Sequence, residues 1–175
     1  MSNLSNVNPN LSLVKQSYRN MLALGEGANG ADFRMVIEEY GDLEYLIQST
    51  QWPTLAREMM EGKGPHGVSF NQQGNVKNAG DITITFKEVV TGKAIAAVID
   101  WVKNKKYLSV TLAQISESQP ESNEYTTVTM EDCWLEMDVA DMSVDDGATL
   151  FKRSGTLHYN WPTSLDDEQE TLGWE

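Results

Sequence analysis

The sequence predicts a mainly β protein: a small antiparallel β-barrel or sandwich with one flanking α-helix at about residues 92–104. Three observations predict it. Apolar and polar side chains alternate over many short stretches rich in β-branched and aromatic residues. One segment alone switches to a strong helical period, with Ile95, Val98, Ile99 and Val102 on a single stripe. Clusters of Gly, Pro, Asn and Asp separate the stretches, with no internal repeat and no linker dividing two domains.

Taken in order, residues 1–31 read as an N-terminal arm. Its first ten residues hold four Asn, two Ser and one Pro. Leu11, Val14, Tyr18, Met21 and Leu22 then fall at helical spacing, which predicts a short amphipathic helix near 11–23, ended by Gly25 to Gly30. From Asp32 the period becomes two. Phe33, Met35 and Ile37 form an opening strand, and Tyr45 and Ile47 continue it after Gly41-Asp42. Leu55, Arg57 and Met59, then Val68 and Phe70, then Ile82, Ile84 and Phe86 predict half-buried strands. The helix follows, with Thr91 as candidate N-cap and Lys103, Lys105 and Lys106 at the end where the helix dipole favours cations.

Three more strand signals follow. Leu108, Val110 and Leu112 alternate with polar or small residues. After the loop at Gln119–Asn123, the run 125–139 places Cys133, Leu135, Met137 and Val139 on one face and Trp134, Glu136 and Asp138 on the other. A turn at Asp145-Asp146-Gly147 leads to a strand at about 148–161, with Phe151, Leu157, Tyr159 and Trp161 on one face. Gly155 within it predicts a bulge or a close backbone contact. The domain is thus expected over 32–162, with an acidic tail over 163–175 in which Trp174 is out of character.

Charge narrows the function classes. The chain of 175 residues carries 13 Lys plus Arg against 26 Asp plus Glu, a formal net charge of −13. Residues 1–106 hold 11 acids and 11 bases, whereas residues 107–175 hold 15 acids and only Lys152 and Arg153 as bases. Such a chain does not grip nucleic acid through phosphate neutralisation. The acidic half serves solubility, or repels polyanions, or attracts a basic partner. No stretch approaches the ~20 apolar residues of a membrane helix, and the N-terminus has no basic region followed by an apolar block, so no export signal is predicted. The single cysteine, Cys133, excludes an intrachain disulfide and suits a reducing compartment.

No catalytic constellation is legible. Gly25-Glu26-Gly27-Ala28-Asn29-Gly30 spells G-x-G-x-x-G, but a strand pattern follows it where a dinucleotide site requires a helix. His66 and His158, the only histidines, have no C-x-x-C or H-E-x-x-H context and read as surface or interface residues. Cys133 sits among apolar neighbours and reads as a small buried hydrophobe. Asp138, Asp141, Asp145 and Asp146 do not match a calcium-loop spacing. Adjacent Glu131 and Asp132 would point to opposite faces of a strand, a poor geometry for two carboxylates acting on one bond. The chain is therefore expected to be no enzyme and to need no cofactor or metal.

Several features recur together in one family: the opening strand Phe33-Arg34-Met35-Val36-Ile37, the long segment Tyr45 to Pro65, Gly67-Val68-Ser69-Phe70, the stretch Gly80 to Glu88 leading into the helix Gly92 to Val102, and the closing Gly155-Thr156-Leu157-His158-Tyr159-Asn160-Trp161. In pattern and order the chain resembles the tail tube protein of contractile-tailed bacteriophages, a family similar in fold to the ring protein of type VI secretion systems. The resemblance covers residues 32–162. It implies a structural virion protein made in the bacterial cytoplasm, in which six copies form a ring and rings stack into a tube. DNA and the tape measure protein occupy the lumen, a tail sheath surrounds the tube, and baseplate and tail terminator proteins meet its ends. A tube initiator or baseplate ring protein, and a type VI tube protein, are the alternatives. The segment at about 48–66 would reach the adjacent ring, with Gln48, Trp52, Pro53, Arg57, Lys63, Pro65 and His66 as candidate contacts. Glu136, Asp138 and Glu131 are the candidate lumen-lining acids, because an acidic wall keeps DNA from sticking.

Overall fold

In the computed structural model, the described residues are 10–25, 27–115, 125–143, 147 and 149–165. The sequence-predicted loop at Gln119–Asn123, the turn acids Asp145 and Asp146, and Trp174 lie outside them. The chain divides into two compact units, Met1–Asp32 and Phe33–Glu175.

The described part of the first unit is helix α1 (Asn10–Ala23) and the connection after it. Leu11, Val14, Tyr18, Met21 and Leu22 are all exposed on α1, so the apolar stripe that shaped it has no core of its own. Gly25, at φ +89°, takes the left-handed conformation that ends the helix.

The second unit is built on an antiparallel sheet. Its strands are β1 (Phe33–Ile37), β2 (Ile47–Thr50), β5 (Gly80–Lys87), β6 (Leu108–Gln114), β7 (Thr127–Met137), β8 (Lys152–Tyr159) and the short β9 (Trp161–Pro162). The order across the sheet is β1-β6-β7-β8-β5-β2, with β9 pairing β7. A separate hairpin consists of β3 (Ala56–Lys63) and β4 (Ser69–Lys77). Helix α2 (Lys93–Lys103) flanks the sheet. The expected mainly β, antiparallel architecture with one flanking helix is what the chain forms.

Strand alternation builds the core. Ile82, Ile84 and Phe86 of β5 face inward beside Leu157 and Tyr159 of β8, and Val110, Leu112, Val128 and Met130 join them from β6 and β7. Gly155 is a close-contact site as its position suggested. A Cβ there would lie 2.5 Å from the Glu136 carbonyl oxygen and 2.7 Å from Met137 Sδ. β7 changes parity midway: Val128 and Met130 are buried, then Cys133 and Leu135. Asp132, at φ +52°, is the extra residue of a bulge that resets the face.

Five expectations need correction. Tyr45 does not extend a strand; it lies exposed in a 3-10 turn (Gly41–Leu46) whose Leu43 enters the core instead. The stretches around 55–60 and 68–70 are strands but not half-buried, since the β3–β4 hairpin stands outside the main sheet. The buried face of α2 is Ala94, Val98 and Trp101, and Ile99 and Val102 stay 54% exposed. The large indole of Trp101, which donates from Nε1 to the Lys106 carbonyl at 3.1 Å, sets the rotation of the helix. Thr91 is not the cap either. The Glu88 carboxylate accepts the backbone N–H groups of Ala94 and Ile95 at 3.2 and 3.0 Å, satisfying donors that a helix start leaves open. Finally, Glu131 and Asp132 do not split across a strand: the bulge leaves both exposed.

Candidate assembly surfaces

The first surface is the pair of outer strands of the sheet. Among the described residues β1 pairs only with β6 and β2 only with β5, so each leaves one edge of backbone donors and acceptors unpaired. Such edges are templates for a strand from another chain unless they are covered. Arg34 on β1 is held by Glu44 at 2.7 Å, a side-chain tie between the strand and the adjoining 3-10 turn.

The second surface is the β3–β4 hairpin, an arm ~26 Å long at 3.3 Å per residue. Its base is fastened to the sheet: the Tyr159 hydroxyl accepts from Thr54 N at 3.1 Å, Asn78 Nδ2 donates to the Asn160 carbonyl at 3.0 Å, and Pro53 is buried. On one face Phe70 lies over Gly62 and Met60 over Gly74, so glycines make room for cross-strand side chains. Met59, Met60, Val68 and Phe70 are exposed, apolar side chains without a core behind them. Of the residues expected in an inter-ring segment, Gln48 lies exposed on β2, Trp52 and Pro53 at the base of the arm, Arg57 and Lys63 on β3, and Pro65 and His66 in the turn at its tip. His66 adopts φ +60° there, beside Gly67 at +80°.

The third surface is the solvent side of β7, β8 and β5. Glu136 lies opposite Thr156, and Thr156 opposite Thr83. Trp134 stacks on His158 with ring centroids 3.9 Å apart. The Thr85 and Ser154 hydroxyls hydrogen-bond at 3.1 Å. This is a hydroxyl-rich face with a carboxylate along one side. Glu136, Asp138 and Glu131 are all exposed, Glu136 with 68% of its side chain accessible and 3.6 Å from His158 Nε2. Asp138 lies just past β7, its N–H bonded to the Ser154 carbonyl at 3.0 Å. Glu131 pairs in register with Trp161 at the bulge, away from the other two.

A fourth feature was not legible in the sequence: an open groove of about 790 Å³ between α2 and the C-terminal half of β7. Ile99 and Val102 line it from α2 and Trp134 to Met137 from β7, together with Lys103, Lys105, Lys106 and Tyr107. Its firm end is the Lys106 ammonium, which donates to Glu39 at 2.7 Å, to Asp100 at 2.8 Å and to the Tyr40 hydroxyl at 3.2 Å. Tyr40 in turn donates to Asp100. These bonds raise the Lys106 pKa, Asp100 contributing most, and hold Asp100 below the usual carboxylate range, Lys106 contributing most. Burial, then the Asp100 bond, raises Tyr40. The cluster ties β1's exit to the end of α2 and is structural. The signal that could have exposed the groove is the same Trp101 that rotates the helix and leaves Ile99 and Val102 uncovered.

Cys133 is fully buried, with Sγ 3.3 Å from the Met130 carbonyl, and burial pushes its thiol up to about 12. It is unsuited to act as a thiolate nucleophile at neutral pH. His66 and His158 lie on different elements, in the arm's turn and on β8. The Gly25–Gly30 run connects α1 to β1.

No family model matches the chain, and no curated relative does. Solved structures match its fold. A chain of the sheath-tube complex of an extracellular contractile injection system, PVC, in the extended state aligns with a TM-score of 0.63 at 11% identity, over 82% of this chain and 94% of that one. A chain of the PVC sheath/tube terminator aligns at 0.64 and 12% identity, over 79% and 96%. A chain of the tube-terminating cap of the anti-feeding prophage aligns at 0.62 and 14% identity, over 79% and 90%. At these identities the likeness is one of fold, and it spans nearly the whole of each matched chain: this protein has a contractile tail-tube-like fold.

Proposed function

We propose that the protein is a structural, non-enzymatic subunit of a contractile tail: six copies close into a ring, and rings stack into a tube through which phage DNA is delivered. The observation that supports this most is the fold shared with chains of a sheath-tube complex, a sheath/tube terminator and a tube-terminating cap, over 90–96% of their length. The free edges of β1 and β2 fit the same reading, because a head-to-tail ring pairs the open sides of one copy with those of the next. The β3–β4 arm then reaches the adjacent ring through Arg57, Lys63, Pro65 and His66, with Gln48, Trp52 and Pro53 at its root. Glu136 and Asp138, and less directly Glu131, supply negative charge to the bore. DNA carries one charge per ~1.7 Å, and within the ~8–10 Å screening length such a wall repels it. The sheath lies outside, the tape measure protein inside, and baseplate and terminator proteins at the ends.

A second reading has its own support. The terminator and cap chains match as well as the chain of the sheath-tube complex does, so a protein that makes one ring and stops is the competitor. Negative-stain images of the concentrated full-length protein separate the two. Hollow tubes of many rings are expected; single rings favour the terminator reading, and a strictly monomeric species at all concentrations overturns both.

A further inference from the structure

We propose that the groove between α2 and β7 receives the acidic C-terminal segment 166–175 of a second copy of this chain, as an added β-strand. Four observations carry this. First, the groove has an open strand edge. β6 pairs with β7 only as far as Cys133, and Trp134 to Met137 pair only with β8 among the described residues. Half of their N–H and C=O groups therefore point into the groove, where an extended peptide can pair with them. Second, the facing wall is apolar and uncovered: Ile99, Val102 and Tyr107 are each 54% exposed. Third, the rim is basic. Three lysines line the groove against the single carboxylate of Glu136. Lys106 is already neutralised by Glu39 and Asp100, but Lys103 and Lys105 have no ion-pair partner among the described residues.

Fourth, the segment fits that chemistry. Asp166, Asp167, Glu168 and Glu170 precede Leu172 and Trp174, two large apolar residues at the i, i+2 spacing that puts them on one face of a strand. Laid along β7, they meet Ile99 and Val102 while the acids meet Lys103 and Lys105. Helix α1, the other exposed apolar segment, carries Lys15 and Arg19 and no acid, so it is mismatched to a basic rim.

Chain direction favours a second copy over the same chain. β8 and β9 run along the far edge of β7, from Gly155 opposite Met137 to Pro162 opposite Met130, and Thr163 Oγ1 then accepts from Thr129 N. The chain thus leaves at the N-terminal end of β7 and on the edge away from the groove. To return to Glu136, seven residues along the strand, its own tail must cover ~23 Å and also cross the sheet, from a maximal reach of ~33–36 Å for ten residues. A neighbour's tail has no such detour.

The proposal rests on the assembly reading only in requiring another copy nearby. Full-length protein carrying Val102→Cys is mixed under mild oxidation with full-length protein carrying Gly173→Cys; the native Cys133 is buried and stays out of the reaction. A mixed covalent dimer is expected. Its yield should fall at least tenfold with Lys103→Glu plus Lys105→Glu, and markedly with Trp174→Ala. An internal disulfide formed at high dilution in a chain carrying both cysteines overturns the proposal in favour of docking within one copy. No cross-link of either kind overturns it outright. Particle images of the same samples read assembly separately: rings without the cross-link sink the docking and leave the ring reading standing.

Discussion

Gly155 of β8 sits against the backbone of Glu136 on β7, where a Cβ would come within 2.5 Å of the Glu136 carbonyl oxygen. The contact lies at the junction that carries the sheet from β7 into β8, and the Glu136 side chain is one of the acids proposed to face the bore. Gly155→Ala forces two paired strands apart or displaces Met137. A loss of roughly 1–3 kcal/mol is expected from overpacking of this kind. Urea unfolding of the purified variant checks it; an unchanged midpoint would mean the strands separate without cost.

Glu88 makes a second test of the local architecture. Its carboxylate is nearly buried, accepts two backbone N–H groups of α2, and has Arg153 Nε 3.6 Å away. Glu88→Ala should cost about 1–2 kcal/mol, the upper part of the range for losing a helix cap, and should lower the melting temperature. Thr91→Ala should leave it within ~0.5 kcal/mol, as for an ordinary surface change.

The buried thiol predicts an alkaline effect with a definite sign. Burial raises Cys133 in the folded state from near 9 to about 12, so folding favours the protonated form. Its contribution is fully present below pH ~9 and is lost as pH rises toward the folded value, at up to ~1.4 kcal/mol per pH unit. Between pH 9 and 11 the stability of Cys133→Ala should therefore decline less steeply than that of the parent. Parallel slopes in pH-dependent urea unfolding would refute the assignment.

What could be read from the sequence follows the range of the interactions involved. Ile82, Ile84 and Phe86 alternate without interruption, and their burial matches the period. Gly155 signals its close contact because few other reasons place a glycine within a strand. The α2 stripe fails because Ile99 and Val102 equal Val98 in hydrophobicity, and only the packing of one indole decides the rotation. β7 fails at Asp132 because a bulge is a single backbone conformation with no period of its own. The groove joins a helix, a turn and a strand edge that are neighbours only after folding. The exposed arm reads as an ordinary half-buried strand pair, since residues kept apolar for a partner look like residues kept apolar for a core.

That ambiguity sets a prediction on the arm. Met59, Met60, Val68 and Phe70 are exposed in the single chain, so Met59→Ser with Val68→Ser should leave monomer stability within ~0.5 kcal/mol. If the arm joins rings, the same pair should abolish long tubes while rings persist, and deleting Gly62 to Gly67 should do likewise. Tube length measured by electron microscopy decides the matter; unchanged tubes remove the arm from the ring-to-ring contact.

The charge on β7 gives the most direct test of the bore. Glu136 and Asp138 are exposed and close in sequence, and Glu136 stands beside the hydroxyl row of Thr156 and Thr83. Replacing both acids by lysine turns a repulsive patch into one that binds phosphate. Each phosphate neutralised releases a counterion, so attraction gained this way must weaken as salt rises. Particles assembled from Glu136→Lys, Asp138→Lys subunits should release DNA more slowly at low ionic strength and recover toward the parent rate at high salt. Glu131→Lys, at the bulge opposite Trp161, should have a smaller effect. Parent-like release at low salt would place Glu136 and Asp138 off the bore, and their charge would then belong to a contact with a basic partner on the outside of the tube.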